Sequence, residues 1–360
     1  MKKFLALLLA LTMALALVAC GGGSDSGDTG AGTTGGDSES GFEPMTWKFA
    51  CSATETSPWV DGAKEFARIV GEKTGGAITV QYYPADQLTA GNQTDGIQAL
   101  MDGTTELSMH SNLIWSSFDQ RFNVVSLPFL FSSTEEADAA LDGAGGETLG
   151  EILESTYNVH LLGIAENGFR HITNSKHAIA SKADMNGLKM RVAGSQLLNR
   201  SYELWGADYT NANWSEVFTA LQTGTYDGQE NPLPTADAAS IQEVQSYLTY
   251  WTGAYDCLFF CMNAELYNSL SPELQAIVDE AGQAACEYER ELNRSQDQEI
   301  MDKWAEAGVE ITELTPEAAA EFAEASAPVY DEFADELTPE LIEAFTSVTQ
   351  ADAGTTEPAA

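Results

Sequence analysis

Two hydrophobic periods alternate along this chain. Trp47-Lys48-Phe49-Ala50-Cys51 and the stretch 78–83 read as short strands. Between them Val60, Ala63, Phe66, Ala67 and Val70 recur at helical spacing, behind Ser57 as cap and Pro58 at the first helical position. Gly75-Gly76 stops that helix, and Ile97, Leu100 and Met101 mark another that Gly103 ends. Strand, helix, strand, helix predicts an α/β layered body with a mostly parallel sheet. The pattern continues through the apolar run 161–165 and through Leu188, Met190 and Val192, which alternate with Lys189 and Arg191. Asn213 caps a short helix carrying Val217 and Leu221, which Gly224 ends; the stretch 226–230 is a strand leading into Asn231-Pro232. The run 257–262, Cys-Leu-Phe-Phe-Cys-Met, is a further strand.

The last third turns helical. Ser271-Pro272-Glu273, Thr315-Pro316-Glu317 and Thr338-Pro339-Glu340 repeat one start signal of cap, proline at the first position and an acid in the first turn. The first opens a run without proline, whose one internal glycine before Gly308 is Gly282. A helix of about 35 residues is roughly 50 Å long. That exceeds one small domain, so this helix is expected to brace two lobes.

The ends carry a different pattern. Lys2 and Lys3 precede a nearly apolar stretch, 4–18, that is short for a membrane span and ends in Leu17-Val18-Ala19-Cys20. This predicts a secretory signal over 1–20 that resembles a bacterial lipobox, in which Cys20 would be lipidated. The Gly/Ser/Asp-rich stretch 21–43 is expected to be a flexible tether with a reach of roughly 25 Å; 351–360 reads as a frayed tail. The sequence has 55 acidic and 16 basic residues, a net charge of −39. Such a surface repels nucleic acid, and an anion must then be held by a local positive pocket rather than by the overall field. Cys51, Cys257, Cys261 and Cys286 remain beside Cys20. Cys257 and Cys261 lie roughly 13 Å apart along one strand, too far to bridge each other. One or two disulfides elsewhere, or four buried thiols, both fit; buried thiols are preferred.

From Gly163 onward a series of segments occurs in one order: Asn167-Gly168-Phe169-Arg170-His171, then Asn186-Gly187-Leu188-Lys189-Met190-Arg191-Val192. Next come Ala220-Leu221-Gln222-Thr223-Gly224 and Asp227-Gly228-Gln229-Glu230-Asn231-Pro232. With Gln87-Leu88 and the stretch 126–131, they resemble the periplasmic solute receptors of tripartite ATP-independent (TRAP) transporters, over about 47–348. The resemblance implies an α/β, two-lobed periplasmic-binding-protein-like fold that closes like a trap, with a long C-terminal helix spanning both lobes. Lobe I would hold 44–167 with about 257–296, and lobe II 168–256 with about 297–350. It also implies a small organic acid as ligand, no cofactor, the small and large membrane permease subunits as partners, and an extracytoplasmic location at the membrane through the lipid anchor.

A carboxylate leaving water needs charge-assisted hydrogen bonds, and arginine offers a planar pair of donors. The chain has seven arginines. Arg68, Arg290 and Arg294 sit in acid-rich helices and are expected to be solvated; Arg121 and Arg200 are ambiguous. Arg191 lies on the strand face opposite Met190, which leaves either bulk solvent or a cleft. By resemblance Arg191 clamps the ligand carboxylate, Arg170 is a second ligand-contacting arginine, Asn231 holds the ligand through its amide, and Trp214 is an aromatic wall. Interlobe salt bridging for Arg170, a turn for Asn231 and plain core packing for Trp214 are the alternatives. The chain departs from the pattern at Gly253, where these receptors often carry histidine, and in 89–93, about two residues longer than usual. Asn92, with Gln93 and Trp115, is the expectation for the first lobe. The motifs of hydrolase elbows, P-loops, zinc proteases and dinucleotide folds do not occur, and His110, His160, His171 and His177 match no metal spacing. A receptor for an ATP-driven importer and a solute-sensing lipoprotein without transport are the rival functions.

Overall fold

The computed structural model describes residues 41–353, with side chains to 347. Cys20, the leader, the tether to Ser40 and the end of the tail lie outside the described residues. In chain order the strands are Met45–Cys51 (β1), Ile78–Tyr83 (β2), Leu107–Ser111 (β3), Val159–Phe169 (β4), His171–Asn174 (β5), Lys189–Val192 (β6), Asp208–Asn211 (β7), Gly228–Asn231 (β8), Tyr247–Tyr250 (β9), Tyr255–Asn263 (β10) and Glu310–Glu313 (β11).

They form two sheets, in the orders β2-β1-β3-β10-β4 and β11-β9-β5-β8-β6-β7. Each is the floor of one lobe. The first is parallel across β2, β1 and β3, and antiparallel where β10 enters between β3 and β4. Every residue of β10 is buried, which is why it reads as a continuous apolar run rather than an alternating one. Helices cover both faces: Phe66 of helix Pro58–Lys73 meets Phe260 edge-on at 5.2 Å, and Phe260 meets Phe49 at 5.9 Å. Each such buried ring contributes about 1.5–3 kcal/mol of transfer free energy.

The chain crosses between the sheets at two adjacent points. Arg170 alone separates β4 from β5, and residues 251–254 separate β9 from β10. The crossings are tied together: Arg170 N–H donates to the Ala254 carbonyl at 2.9 Å. The third link is the long helical run, Pro272–Ser295 followed by Asp297–Glu306. Only Gln296 interrupts it, where the backbone tightens to an i→i−3 bond onto the Asn293 carbonyl. Its first segment lies along β4; its second packs Ile300 and Trp304 into the core of the other sheet with Leu248 and Ile311.

Three expectations are corrected. Arg290 and Arg294 are partly buried and paired rather than freely solvated, because the long helix lays that face across β4 and the helix Thr134–Leu141. Arg290 donates to the Ile164 carbonyl at 2.6 and 2.9 Å and to Asp142, and Arg294 binds Asp138 at 2.7 and 2.8 Å and also Glu166. The end of the chain does not stay with the second lobe. Phe322 packs there against Trp205 and Trp251, but Leu337, Leu341 and Phe345 return to the first lobe, where Phe345 covers Gly145 and Phe131. Phe42, placed in the tether, packs instead on the core of the first lobe. Cys51, Cys257, Cys261 and Cys286 are all buried free thiols.

Candidate functional site

In an open α/β sheet the carboxyl ends of parallel strands leave loops and backbone groups free to meet a ligand. Here such ends from both sheets face one another. Ser52 follows β1, Ser111 ends β3, Ala193 follows β6 and Asn231 ends β8, and all four line one partly open cavity between the lobes. Arg191, Arg170 and Trp214 line it as well.

Arg191 is placed by its strand. β6 is pinned in register between β7 and β8, and Arg191 is 2 % exposed. Its Nε and Nη2 donate to the Ala212 carbonyl at 3.0 and 2.7 Å. That fixes one edge of the guanidinium and leaves the Nη1–Nη2 edge available for two parallel donor bonds. The Trp214 ring lies against the cation, 5.6 Å from centroid to carbon. Burial lowers the Arg191 pKa from its ordinary value to about 10, so the group is cationic at neutral pH without a direct carboxylate partner. Desolvating an unpaired guanidinium is costly, and a site that keeps one is poised for an anion.

Arg170 lies at the first crossing and is differently employed. It binds the Glu230 carboxylate through Nε and Asp256 through Nη1, while Nη2 donates to the Glu230 carbonyl at 2.9 Å. Glu230 in turn accepts from Ala193 N–H at 2.9 Å, and Asp256 from Ser111 and Asn167 at 2.7 Å each. The two carboxylates raise the Arg170 pKa despite burial, and burial raises that of Asp256. Arg170 lines the cavity, and its charge is balanced by Glu230 of the second sheet and Asp256 of the first. Asn231 donates to Gln229 Oε1 at 2.8 Å, and its Oδ1 remains for the cavity.

The first lobe departs from expectation. Asn92 does not line the cavity: its Oδ1 caps the helix Gln93–Met101 through Thr94 and Asp95 N–H at 3.1 and 3.2 Å. Trp115 is fully buried among Phe122, Tyr157 and Phe259. Gln93 does line it, and its Oε1 accepts from Trp214 N–H at 3.1 Å. Ser52, Trp59, Ser111 and Ile114 complete this wall. Their signal was positional, since Ser52 and Ser111 sit where strands end. The long 89–93 segment builds the rim, where Gly91 carbonyl accepts from Ser215 Oγ at 3.1 Å; nearby Thr54 Oγ1 donates to the Ala238 carbonyl at 3.1 Å. Gly253 faces the Trp251 ring, which a Cβ would meet at 2.6 Å, so the space a histidine would need is filled by tryptophan.

Two sheets with a shared cavity at their strand ends, linked by adjacent crossings and one long helix, define a two-lobed solute-binding protein. The chain belongs to the bacterial extracellular solute-binding proteins of family 7 (DctP), whose model matches residues 49–337. It is 32% identical to the 2,3-diketo-L-gulonate-binding periplasmic protein of Escherichia coli K12, covering 76% of this chain and 83% of that one. It is 28% identical to the C4-dicarboxylate-binding periplasmic protein of Rhodobacter capsulatus, covering 85% and 92%. Among solved structures, the sugar acid binding protein of Advenella mimigardefordensis in complex with galactonate superposes with a TM-score of 0.82 at 28% identity, over 86% of this chain and 99% of that one. A TRAP periplasmic solute binding protein of Ralstonia eutropha with bound (S)-2-acetolactate gives a TM-score of 0.81 at 31% identity, over 85% and 99%. The protein is therefore a TRAP-type extracytoplasmic solute-binding protein. No described helix is long and apolar enough to cross a membrane.

Proposed function

We propose that this protein captures a small organic acid between its lobes and delivers it to the small and large permease subunits of a TRAP transporter. The observation that carries the reading is Arg191: a buried cation with one edge fixed on the Ala212 carbonyl and the other free at the cavity. A carboxylate on that edge makes two charge-assisted bonds of about 1.5–3 kcal/mol each. Trp214 stacks beside the pair, and Asn231 offers its amide oxygen to a hydroxyl of the ligand. Arg170 acts as a positioning residue, since it holds Glu230 and through it Ala193 at the end of β6. The relatives named above carry sugar acids, keto acids and dicarboxylates in their names, which supports an acid without choosing one.

Capture proceeds by closure. The rim bonds of Gly91 to Ser215 and of Gln93 to Trp214 join the lobes and form only when the cleft is shut. A ligand that touches both walls favours the shut form by its differential affinity for it. The shut surface then docks on the permease. Cys20, lipidated at the end of the leader, holds the body at the membrane.

The test is a thermal-shift screen of residues 42–360 against small carboxylates, with Arg191→Ala beside it. A ligand at ~100 times Kd adds roughly 2.7 kcal/mol of stability. The expected result is a hit that disappears in the variant while its unliganded melting curve stays cooperative. Stabilisation that persists in Arg191→Ala removes Arg191 as the clamp.

A further inference from the structure

The long helix carries a carboxyl group that neither the cleft nor the ion pairs described above employ. Among the described residues five carboxyl side chains are buried: Asp86, Glu166, Glu230, Asp256 and Glu289. Four have a basic partner. His110 Nε2 lies 2.9 Å from Asp86, Arg294 binds Glu166, and Arg170 binds both Glu230 and Asp256. Glu289, fully buried, has none. The charged groups that face it are Glu166 of β4 and, on its own helix, Arg290 and Arg294, whose guanidinium groups are turned to the Ile164 carbonyl and to Asp138. Cys286 adds only a buried thiol. Gly62 of the helix Pro58–Lys73 closes the remaining side, where a Cβ would meet Glu289 Cβ at 2.9 Å. A carboxylate with no counter-charge in such surroundings is costly enough that the group keeps its proton instead. Burial accordingly raises the Glu289 carboxyl well above its ordinary value.

Where that proton points follows from the bonds already made. Glu289 Oε2 accepts from Glu166 N–H at 2.9 Å, while Oε1 is buried with no partner and is left to carry the O–H. One turn on, Asn293 is 3 % exposed. Its Nδ2 donates to the Asn167 carbonyl at 3.1 Å, and its Oδ1 is likewise buried with no partner. Both side chains grip consecutive residues at the end of β4, and positions four apart are neighbours on a helix face, so the two leftover oxygens fall within reach of one another. Two acceptors cannot satisfy each other, but a carboxylic acid and an amide oxygen can. We infer that Glu289 is a positioning residue for the first crossing between the lobes: as a neutral acid it donates its Oε1–H to Asn293 Oδ1 and so fixes the amide that holds Asn167. Asn167 is where the lobes meet. Its Nδ2 donates to Asp256 at 2.7 Å, its Oδ1 accepts from Thr235 Oγ1 of the second lobe at 2.6 Å, and three residues on Arg170 N–H bonds the Ala254 carbonyl. A carboxylate at 289 repels Asn293 Oδ1 and releases that hold. A glutamine keeps it, because its amide donates the same bond while its oxygen accepts from Glu166 N–H.

The experiment uses the whole protein without added ligand, so its result does not depend on the acid-receptor reading. An infrared difference spectrum, parent minus Glu289→Gln at neutral pH, is expected to show the loss of one protonated-acid carbonyl band. Loss of a carboxylate band pair instead overturns the inference. Amide hydrogen exchange, read by mass spectrometry on peptides spanning 163–172 and 251–256, is then compared in the parent, Glu289→Gln, Glu289→Met, Asn293→Leu and the double variant of the last two. Glu289→Gln is expected to protect the crossing as the parent does. Glu289→Met and Asn293→Leu each quicken exchange there about 5- to 30-fold, and the double variant falls well short of the product of the two. Exchange over 189–192 keeps the parent rate, which separates loss at the crossing from global unfolding. Rates that multiply in the double variant, or exchange in Glu289→Gln as fast as in Glu289→Met, overturn the bond to Asn293.

Discussion

Gly91→Ala separates closure from folding. Gly91 sits at φ +84°, where an alanine is strained by about 1–2 kcal/mol whether the cleft is open or shut. A Cβ there also meets Ser215 Oγ at 2.4 Å and Ser215 Cβ at 2.9 Å, and Ser215 belongs to the other lobe. That collision exists only in the shut form. It displaces the serine that donates to the Gly91 carbonyl, so overpacking and a lost rim bond both fall on closure. Together they amount to about 1–3 kcal/mol, or roughly a 5- to 150-fold rise in Kd. Calorimetry with the best acid from the screen reads this directly, and small-angle scattering shows the liganded variant remaining wider than the parent. Ser215→Gly removes both colliding atoms, and the double variant is expected to recover most of the affinity while keeping the melting-temperature loss from strain. Unchanged affinity in Gly91→Ala, or no recovery with Ser215→Gly, refutes the rim as part of closure.

Other consequences follow from the buried groups. Arg170→Met leaves Glu230 and Asp256 facing each other without their cation, and urea unfolding is expected to show a loss of about 3–5 kcal/mol. Cys51, Cys257, Cys261 and Cys286 react with a thiol reagent only on unfolding, and melting is unaffected by reductant. Burial raises the Glu289 carboxyl well above its ordinary value of 4.5, so the folded chain keeps a proton that the unfolded chain has released; stability falls as pH rises above about 4.5. Glu289→Gln flattens that slope and is the more stable form at pH 8 by chemical denaturation. His171 has the opposite sign. Burial lowers it from 6.5 to about 3, so its contribution is full above pH 6.5 and is lost as pH falls toward 3, a limb of the pH–stability curve that His171→Gln removes.

The elements were legible where a single period governs them. Strands β1, β2, β6 and β8, the helix behind Ser57 and the long helix behind Ser271 all follow from spacing and caps. Arg191, Asn231 and Trp214 were reached by motif resemblance and come together at one cavity. What the sequence hid depends on contacts between distant segments. Arg290 and Arg294 read as solvated because their partners, Asp138 and Ile164, lie more than a hundred residues away. Asn92 was taken for a ligand group because its polar side chain is also what a helix cap needs, and only the backbone of Thr94 and Asp95 tells the two apart. The return of Phe345 to the first lobe is a packing choice that its helical period does not encode. Ser52 and Ser111 were within reach, because the ends of parallel strands are where such folds bind ligands.

The central claim is that Arg191 meets a carboxylate. The most direct measurement is a cycle of four dissociation constants: the best acid and its neutral primary amide, each on the parent and on Arg191→Met. The account predicts that the parent binds the acid at least ~100-fold more tightly than the amide, and that the variant binds the two nearly alike. A preference for the acid that survives intact in Arg191→Met would contradict it.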